Sequence, residues 1–448
     1  MRTIIVGAGK IGYHIAKTLI QENHDVVILE HNEERAKGLE ENLDVQVIYG
    51  SGTSSVILEK AGIKEAKLLI AVTESDEVNI FACMLAKQLG VKQTVARVRN
   101  PEYVEESNHN SMLSNIDLII NPELVTAKEI VKLIKIPEAL DIVTYADGKI
   151  QLLELKVPPQ ASIINMYIKE LNVSHPFLIA SILRNGTMLI PRGNDQILQD
   201  DIIFVLVRTE DIAKISKFLG FKSKKTERVM ILGGNLTGYH LAKILERRKI
   251  SVKIIEKQYK RCLELAQNLE NALVLNGDGT DIDFIKGEGI RDTDVFISLT
   301  DDDKLNLLVS LLAKHLGAKR AIAKVRHSDY ISLMESVGID VGISPRLLTA
   351  NAILRFIKRG TNIVSVTLLS GAKAEVLEIL VGPECRYAHK KLRDLNFPSG
   401  AIIGSIYRQN EVIIPTGEDF LKPKDTVTVF ALPKAVNKVE EFFNISVR

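Results

Sequence analysis

The residues whose types and spacing could do chemistry form two glycine turns, Gly7-Ala8-Gly9-Lys10-Ile11-Gly12 and Gly233-Gly234-Asn235-Leu236-Thr237-Gly238. The first is a GxGxxG motif. An apolar run, Ile4 to Val6, precedes it, a segment with helical periodicity follows, and Glu30 closes the next strand-like run 23 residues after Gly7. In that setting Gly7 permits the tight turn, Gly9 lets the backbone approach a pyrophosphate, and Gly12 lets helix and strand pack closely. The helix start offers amide donors and partial positive charge to phosphates. Glu30 would accept from a ribose diol and repel a 2′-phosphate, which favours NAD or an adenine nucleotide over NADP. The plainer alternative is a tight turn with a surface glutamate at a strand end. The second turn is also followed 23 residues later by an acid, Glu256, but it carries Asn235 where the first has Gly9. That side chain either crowds a pyrophosphate or donates its amide to it, so the second site is an intact dinucleotide site, or is weaker, takes a different nucleotide, or is empty.

Further polar residues recur where strands of such a fold end, the edge at which doubly wound sheets place ligands. Thr73 and Glu74 correspond to Thr300 and Asp301, Asn79 to Asn306, and Arg97 to Lys324. Ser51, in Gly50-Ser51-Gly52-Thr53, and Asp278, in Gly277-Asp278-Gly279-Thr280, follow the third strand and could approach an adenine edge, or be ordinary turn residues. For Arg97 the alternative is a surface ion pair. His14 and His240 recur in GYH at the helix starts, where packing or solvation explains a histidine better than catalysis. HExxH and GxSxG are absent, and neither Gly-Lys dipeptide is followed by Ser or Thr, which excludes a Walker A loop. The residues therefore describe a nucleotide site without visible proton-transfer chemistry.

The elements that must position these groups are written twice. IIVGAGKIGYHIAKTL (4 to 19) realigns with MILGGNLTGYHLAKIL (230 to 245), eight of sixteen positions being identical. TESDEVNIFACMLAKQLGVKQTVARVR (73 to 99) matches TDDDKLNLLVSLLAKHLGAKRAIAKVR (300 to 326), and NPELVTAKEIVKLIK (121 to 135) matches SPRLLTANAILRFIK (344 to 358). Offsets stay between 223 and 227, which makes the chain a duplicated two-lobed unit. In each half, short Val/Ile-rich runs first alternate with helical segments, the pattern of a parallel sheet covered on both faces. An amphipathic helix starting at Pro122 then gives way to alternating strands (Lys149 to Val157, Thr187 to Pro191, Ile202 to Val207) and one short helix near Asn165 to Leu171, a small α+β lobe. The fold class expected is α/β, with two Rossmann-like doubly wound parallel sheets, each followed by a small α+β lobe. The expected boundaries are 1–136 and 137–221 for the first half, a basic linker at 222–228, and 229–358 and 359–448 for the second.

Composition excludes other classes. Apolar residues make up 46% and charged residues 25% of 448, ordinary for folded protein rather than disordered or collagen-like chain. Lys plus Arg numbers 58 against 56 Asp plus Glu, a balance that gives no general case for nucleic acid, and no basic helix-turn-helix segment is visible for a transcription regulator. Cys83, Cys262 and Cys385 lie far apart with no metal-ligand spacing, so neither a disulfide framework nor a zinc site is expected, and a reducing compartment fits. No apolar stretch reaches the roughly 18 residues of a membrane span, and the N-terminus lacks the layout of a signal peptide. A cytoplasmic location follows.

GAGKIG with Glu30, AVTESDEVN (71 to 79), ARVRNPEYV (96 to 104), NPELVTA (121 to 127) and their second-half counterparts resemble the regulator-of-potassium-conductance (RCK, or KTN) family across all 448 residues. The resemblance implies binding of NAD or NADH, and of ATP or ADP, without catalytic turnover. It further implies peripheral association with the inner membrane face, where a homotetramer forms an eight-lobe ring below a membrane-embedded potassium transporter subunit, and no nucleic-acid partner. By position, Gly7 to Ile11, Glu30, Thr73, Glu74 and Arg97 inherit the nucleotide role, as do Gly233 to Thr237 and Glu256. Glu123 becomes Arg346 in the second half, so any cation-assisted phosphate role would exist in one half only. The helices at Pro122 to Ile136 and Pro345 to Lys358 are candidates to transmit a conformational change or to dimerise, the alternative being ordinary packing within a lobe. The competing expectation is an NAD-dependent oxidoreductase with duplicated Rossmann domains.

Overall fold

A computed structural model describes residues 2–21, 24–100, 103, 113–171, 176–221, 225–327, 330–357, 363–369 and 374–443. Residues 222–224 of the expected linker, and 101, 102 and 104 of the ARVRNPEYV run, lie outside the described residues. The first half opens with β1 (Arg2–Val6), β2 (Asp25–Glu30), β3 (Gln46–Tyr49), β4 (Leu68–Ala71), β5 (Gln93–Arg97) and β6 (Leu118–Ile120), parallel in the order β3-β2-β1-β4-β5-β6. Ile4, Ile5, Val27, Ile28, Leu69 and Ile70 are wholly buried, as strands covered on both faces require. The helices Glu33–Asn42, Ser55–Lys60 and Asp76–Gln88 between the strands begin at side-chain caps. Ser75 Oγ, for example, accepts from the Val78 amide at the start of the helix Asp76–Gln88, whose first turn is acidic. The order reverses between β1 and β4, the switch point where doubly wound sheets bind ligands.

The small lobe that follows comprises β7 (Ala139–Tyr145), β8 (Ile150–Lys156), β9 (Phe177–Arg184), β10 (Thr187–Leu189) and β11 (Ile202–Arg208), an antiparallel sheet in the order β10-β9-β11-β8-β7. Two of its strands, β7 and β9, were not expected, and two expectations are corrected. The segment Asn165 to Leu171 holds only a 3-10 turn, Ile168–Glu170, because Asn165 sits at φ +63° and the Glu170 carboxylate folds back to accept the Tyr167 amide hydrogen. The strand that starts at Thr187 ends at Leu189, two residues before Pro191.

The second half repeats both sheets. β12 (Arg228–Leu232), β13 (Ser251–Glu256), β14 (Leu273–Asn276), β15 (Val295–Ser298), β16 (Arg320–Lys324) and β17 (Val341–Ile343) take the order β14-β13-β12-β15-β16-β17. β18 (Ile363–Leu369), β19 (Ala374–Leu380), β20 (Ala401–Arg408), β21 (Glu411–Ile413) and β22 (Thr426–Ala431) form the second antiparallel sheet.

The chain divides into two compact units, and each draws on both halves. One comprises Met1–Val131 with Glu227–Leu354, and so holds both parallel sheets; the other comprises Lys132–Thr226 with Arg355–Arg448. The division therefore falls inside the helices Pro122–Lys135 and Pro345–Ile357. In the second unit the two small lobes share one apolar core, in which Tyr145, Leu152, Phe204 and Leu206 pack with Ala374, Val376 and Phe430. The Phe204 and Phe430 rings lie 5.9 Å apart in a tilted pair, an arrangement aromatic quadrupoles favour. Gly404 packs directly on Leu206 there, a Cβ on it standing 2.1 Å from Leu206 Cδ1 unless that side chain shifts. Each small lobe also has a buried aspartate held by an arginine: Asp201 by Arg184 and Asp425 by Arg408, both at 2.7 Å. Cys83, Cys262 and Cys385 are unpaired and buried, and burial pushes the Cys83 thiol well above its usual range. No helix among the described residues is long and apolar enough to cross a membrane.

Candidate functional site

The site is built from the C-terminal edge of the parallel sheets upward. β1 ends at Val6, and Gly7 turns the chain at φ +104° into the helix Lys10–Gln21. A Cβ on Gly12 would lie 2.1 Å from the Gly7 carbonyl oxygen, whereas one on Gly9 would meet no atom within 4 Å. Gly12 is thus required for packing, and the space beside Gly9 is an open cradle at a helix N-terminus, fit for a phosphate group.

Glu30 is 2% exposed and points at its own loop. Its Oε2 accepts the Ala8 amide hydrogen at 2.8 Å, and its Oε1 accepts those of His31 and Asn32 at 2.9 Å. Glu256 repeats the arrangement with Gly234 and Gln258, both at 2.8 Å. Both acids brace the glycine turn, a structural task the 23-residue spacing does not reveal.

Asn79 and Asn306, of which Asn79 was expected among the cofactor contacts, are wholly buried and serve as internal pins instead. Asn79 Oδ1 accepts from the Thr73 amide (2.8 Å) and hydroxyl (2.7 Å), while Nδ2 donates to the carbonyls of Thr73 (3.2 Å) and Arg97 (2.8 Å). Asn306 does the same for Thr300 and Lys324. The amide side chain thereby ties the ends of two adjacent strands together. Arg97 is 7% exposed, donates to the Thr73 carbonyl at 2.8 Å, and has a buried Nε without a partner. Burial first, then the charge of Arg99, pulls its pKa below the ordinary arginine value, with Glu123, Asp76 and Glu74 opposing.

The first glycine turn and Arg97, but not Glu30, Thr73 or Asn79, line a cavity of about 790 Å³ between the two parallel-sheet lobes. The first lobe contributes Ala8, Gly9, Lys10 and Ile11 of the glycine turn with Arg35, Glu74, Arg97, Arg99 and Glu123. The second contributes Asn235, Leu236 and Thr237 of its turn with Asp301, Lys324, Arg326 and Arg346. Seven cationic side chains thus face three carboxylates. Asp301 is held below the usual carboxylate range chiefly by its bond to Lys324, at 2.8 Å, and the charge of Arg99 on the other lobe adds to the effect. The lobes also touch directly where Lys10 Nζ meets His327 Nε2 at 2.9 Å, His327 being held from behind by Asp303.

The second turn differs as the asparagine requires. Asn235 Oδ1 caps its helix by accepting the Gly238 amide hydrogen at 3.1 Å, and its Nδ2 donates to the Leu299 carbonyl at 2.6 Å. The side chain is folded into the protein, and its amide is already in use. A second cavity of about 420 Å³ lies beside it, lined by Gly233, Glu256, Lys257, Arg261, Asp278 and Thr300 among others. Asp278 pairs with Lys257 at 2.8 Å and accepts from Thr280, which lowers its pKa to about 2. Ser51 bonds Thr53 at 2.7 Å on an exposed turn and does not line the larger cavity. His14 and His240 are partly buried, and burial followed by a nearby lysine, Lys17 or Lys243, lowers the pKa of each.

Residue types alone had not singled out Arg99, Arg326, Asp76 or Asp303. Asp76 accepts the amide hydrogens of Arg99 and Asn100 at 2.8 Å, and Asp303 accepts that of Arg326 at 2.9 Å, so each acid fixes the turn that presents an arginine to the cavity. Their signal was the offset of 227, at which both pairs recur unchanged.

The TrkA-N domain model matches residues 3–122 and 229–345, and the TrkA-C domain model matches residues 152–220 and 376–444. Trk system potassium uptake protein TrkA homolog 1 of Methanosarcina mazei is 39% identical over 99% of this chain and 100% of its own. Trk system potassium uptake protein TrkA of Vibrio alginolyticus is 34% identical over 100% of this chain and 99% of its own. Among solved structures, the GsuK channel bound to NAD superposes with a TM-score of 0.63 at 19% identity, over 99% of this chain and 79% of that one, a likeness of fold.

Proposed function

The chain belongs to the TrkA family, and from that premise we propose that it is a nucleotide-responsive regulatory subunit of a potassium uptake system, without catalytic turnover of the nucleotide. The observation that carries this reading is the placement of both glycine turns on one cation-rich cavity. A ligand seated there touches two lobes at once, so its binding free energy depends on how the lobes are disposed. A nucleotide that prefers one disposition shifts the population toward it, by a coupling of about 1–3 kcal/mol in typical cases.

NAD or NADH would be held by the amides of Gly7 to Ile11, with its ribose toward Glu30 and its phosphates within reach of Arg97, beside Thr73 and Glu74. The open cradle at Gly9 and the unpartnered Nε of Arg97 fit such a group. ATP or ADP suits the same cradle, and the cationic surplus supports phosphate-rich ligands. Glu256, Asp278, Thr300 and Lys324 would serve a weaker second site at Gly233 to Gly238, where Asn235 has taken the first-turn amide of Gly238 for itself. The regulated partner is a TrkH/TrkG-like membrane subunit, met at the cytoplasmic face by a ring of four chains. The helices Pro122–Lys135 and Pro345–Ile357 carry the change out of the parallel-sheet lobes.

Calorimetry of the full chain with NAD, NADH, ATP and ADP tests the binding half. Gly9→Asn should abolish most binding, and Asn235→Gly should change it little or strengthen the second site. Potassium flux through the membrane partner in vesicles tests the regulatory half. A protein that binds none of the four nucleotides, or a flux indifferent to them, rejects the reading, and steady turnover of NADH would favour the oxidoreductase.

A further inference from the structure

The two small lobes share a backbone and differ in charge. The bridge between Tyr167 and Gln196 recurs between Lys391 and Phe420, and the bond from the Asn165 amide to the Ile197 carbonyl recurs from His389 to Leu421. In that register Lys156 and Asp200, an ion pair at 3.2 Å in the first lobe, become Leu380 and Lys424 in the second. Leu380 is 41% exposed, and Lys424 has no counter-charge where Asp200 had one. Ser162, Met166 and Leu198 become the exposed cations Arg386, Lys390 and Lys422, and Gln196 becomes Phe420. The partly buried Phe420 ring has Lys422 Nζ at 5.3 Å, the Arg408 guanidinium at 5.4 Å and the His389 ring at 6.3 Å. Acids of the same segments are already in use. Glu418 holds Lys391 and Arg393, Asp394 also meets Arg393, Asp425 holds Arg408, and Asp419 accepts from Thr416. Arg386, Lys390, Lys422 and Lys424 form no ion pair among the described residues. Lys424 moreover keeps the left-handed backbone of Asp200, at φ +73° against +64°, a conformation that aspartate tolerates better than lysine. A lysine placed against its backbone preference and without its counterion is accounted for by an anion outside the lobe.

We propose that this face of the second small lobe, centred on Phe420, docks on the anionic phosphodiester headgroups of a lipid surface. The lysine and arginine heads neutralise lipid phosphates, while exposed Leu380 and the Phe420 ring supply apolar contact at the headgroup level, the usual division of work among interfacial residues. Charge complementarity singles out the lipid. Cytoplasmic loops beside membrane spans carry an excess of Lys and Arg and repel such a face, whereas anionic lipid attracts it. The first small lobe, in which Lys156 and Asp200 neutralise each other, offers no equivalent, so the contact is one-sided and orients the pair of small lobes. This inference rests on the proposed location at the membrane face and names what the chain itself touches there, without drawing on either glycine turn.

The test is flotation of the full chain, without nucleotide or membrane partner, on phosphatidylcholine vesicles with and without phosphatidylglycerol. Wild type should float only with the anionic vesicles and be released by high salt. Each lysine near such a surface is worth about fivefold in partition, so Lys422→Gln with Lys424→Gln should weaken binding by about tenfold or more, and Lys422→Glu with Lys424→Glu further. Lys156→Leu with Asp200→Lys, which copies the second lobe's pair into the first, should strengthen it. Thermal unfolding checks that each variant is folded. Absence of binding to anionic vesicles, or equal binding by wild type and both lysine double variants, overturns the proposal. So does release by soluble glycerophosphoglycerol at low salt, which would mark a site for a small phosphate, or binding to polyglutamate or RNA in place of vesicles. If flotation fails while nucleotides bind and potassium flux responds to them, the regulatory reading stands and only the lipid contact falls; if flotation succeeds and flux is indifferent to nucleotides, the reverse holds.

Discussion

Gly12 packs so closely on Gly7 that any side chain on it would overlap the Gly7 carbonyl oxygen, at 2.1 Å from the Cβ, while Gly9, between them, faces open space. The three glycines of one motif therefore answer to different demands, and substitution separates them. Gly12→Ala should destabilise the first lobe by about 1–3 kcal/mol, as overpacking does, read as a lowered urea midpoint. Gly9→Ala should leave stability unchanged or raise it by up to about 1 kcal/mol through the unfolded chain, yet weaken NADH binding.

Asn79→Ala removes the link between the ends of β4 and β5. It strands the Thr73 amide and the Arg97 carbonyl inside the protein, each such loss being worth about 1–3 kcal/mol. Unfolding should show a loss of at least about 2 kcal/mol, with nucleotide affinity reduced because Thr73 and Arg97 are no longer fixed. Asn306→Ala should give the same stability loss in the second lobe and a smaller effect on binding.

Phe204 and Phe430 come from different halves of the chain but fill one core. Either residue replaced by alanine should cost about 3–5 kcal/mol, and the double variant less than the sum, since each single change already empties part of the shared space. Denaturant unfolding of the four proteins measures the coupling. Strict additivity would mean that the two small lobes do not share a core in solution.

His14 and His240 have lowered pKa values in the folded chain, so near pH 6.5 the unfolded chain binds more protons than the folded one. Their contribution to stability is present above about pH 6.5 and is lost as pH falls below it. Melting temperature should therefore drop between pH 7 and pH 5, and His240→Gln should flatten part of that slope. An unaltered slope in the double variant with His14→Gln would place the titration elsewhere.

The sequence by itself determined the duplicated α/β architecture, the glycine turns and the edge on which ligands sit. Those properties are local or periodic: Ile4 to Val6 is a buried strand because every residue in it is apolar, and Gly12 recurs as Gly238 because the same turn is built twice. Legibility stopped where a residue's role depends on a partner far along the chain. The 3-10 turn at Ile168–Glu170 passed for a helix, because a short periodic segment does not reveal the positive φ of Asn165. Glu30 reads as a ribose ligand or a surface glutamate and not as a brace of the glycine turn, because spacing fixes an acid at a strand end but not the direction of its carboxylate. Arg346 was visible only as a departure from Glu123. Tertiary structure decided that it lines the same cavity as Gly9, more than 300 residues earlier, and that Phe430 shares a core with Phe204. Such pairings are set by the fit of whole apolar and charged surfaces, which no local pattern of residues encodes.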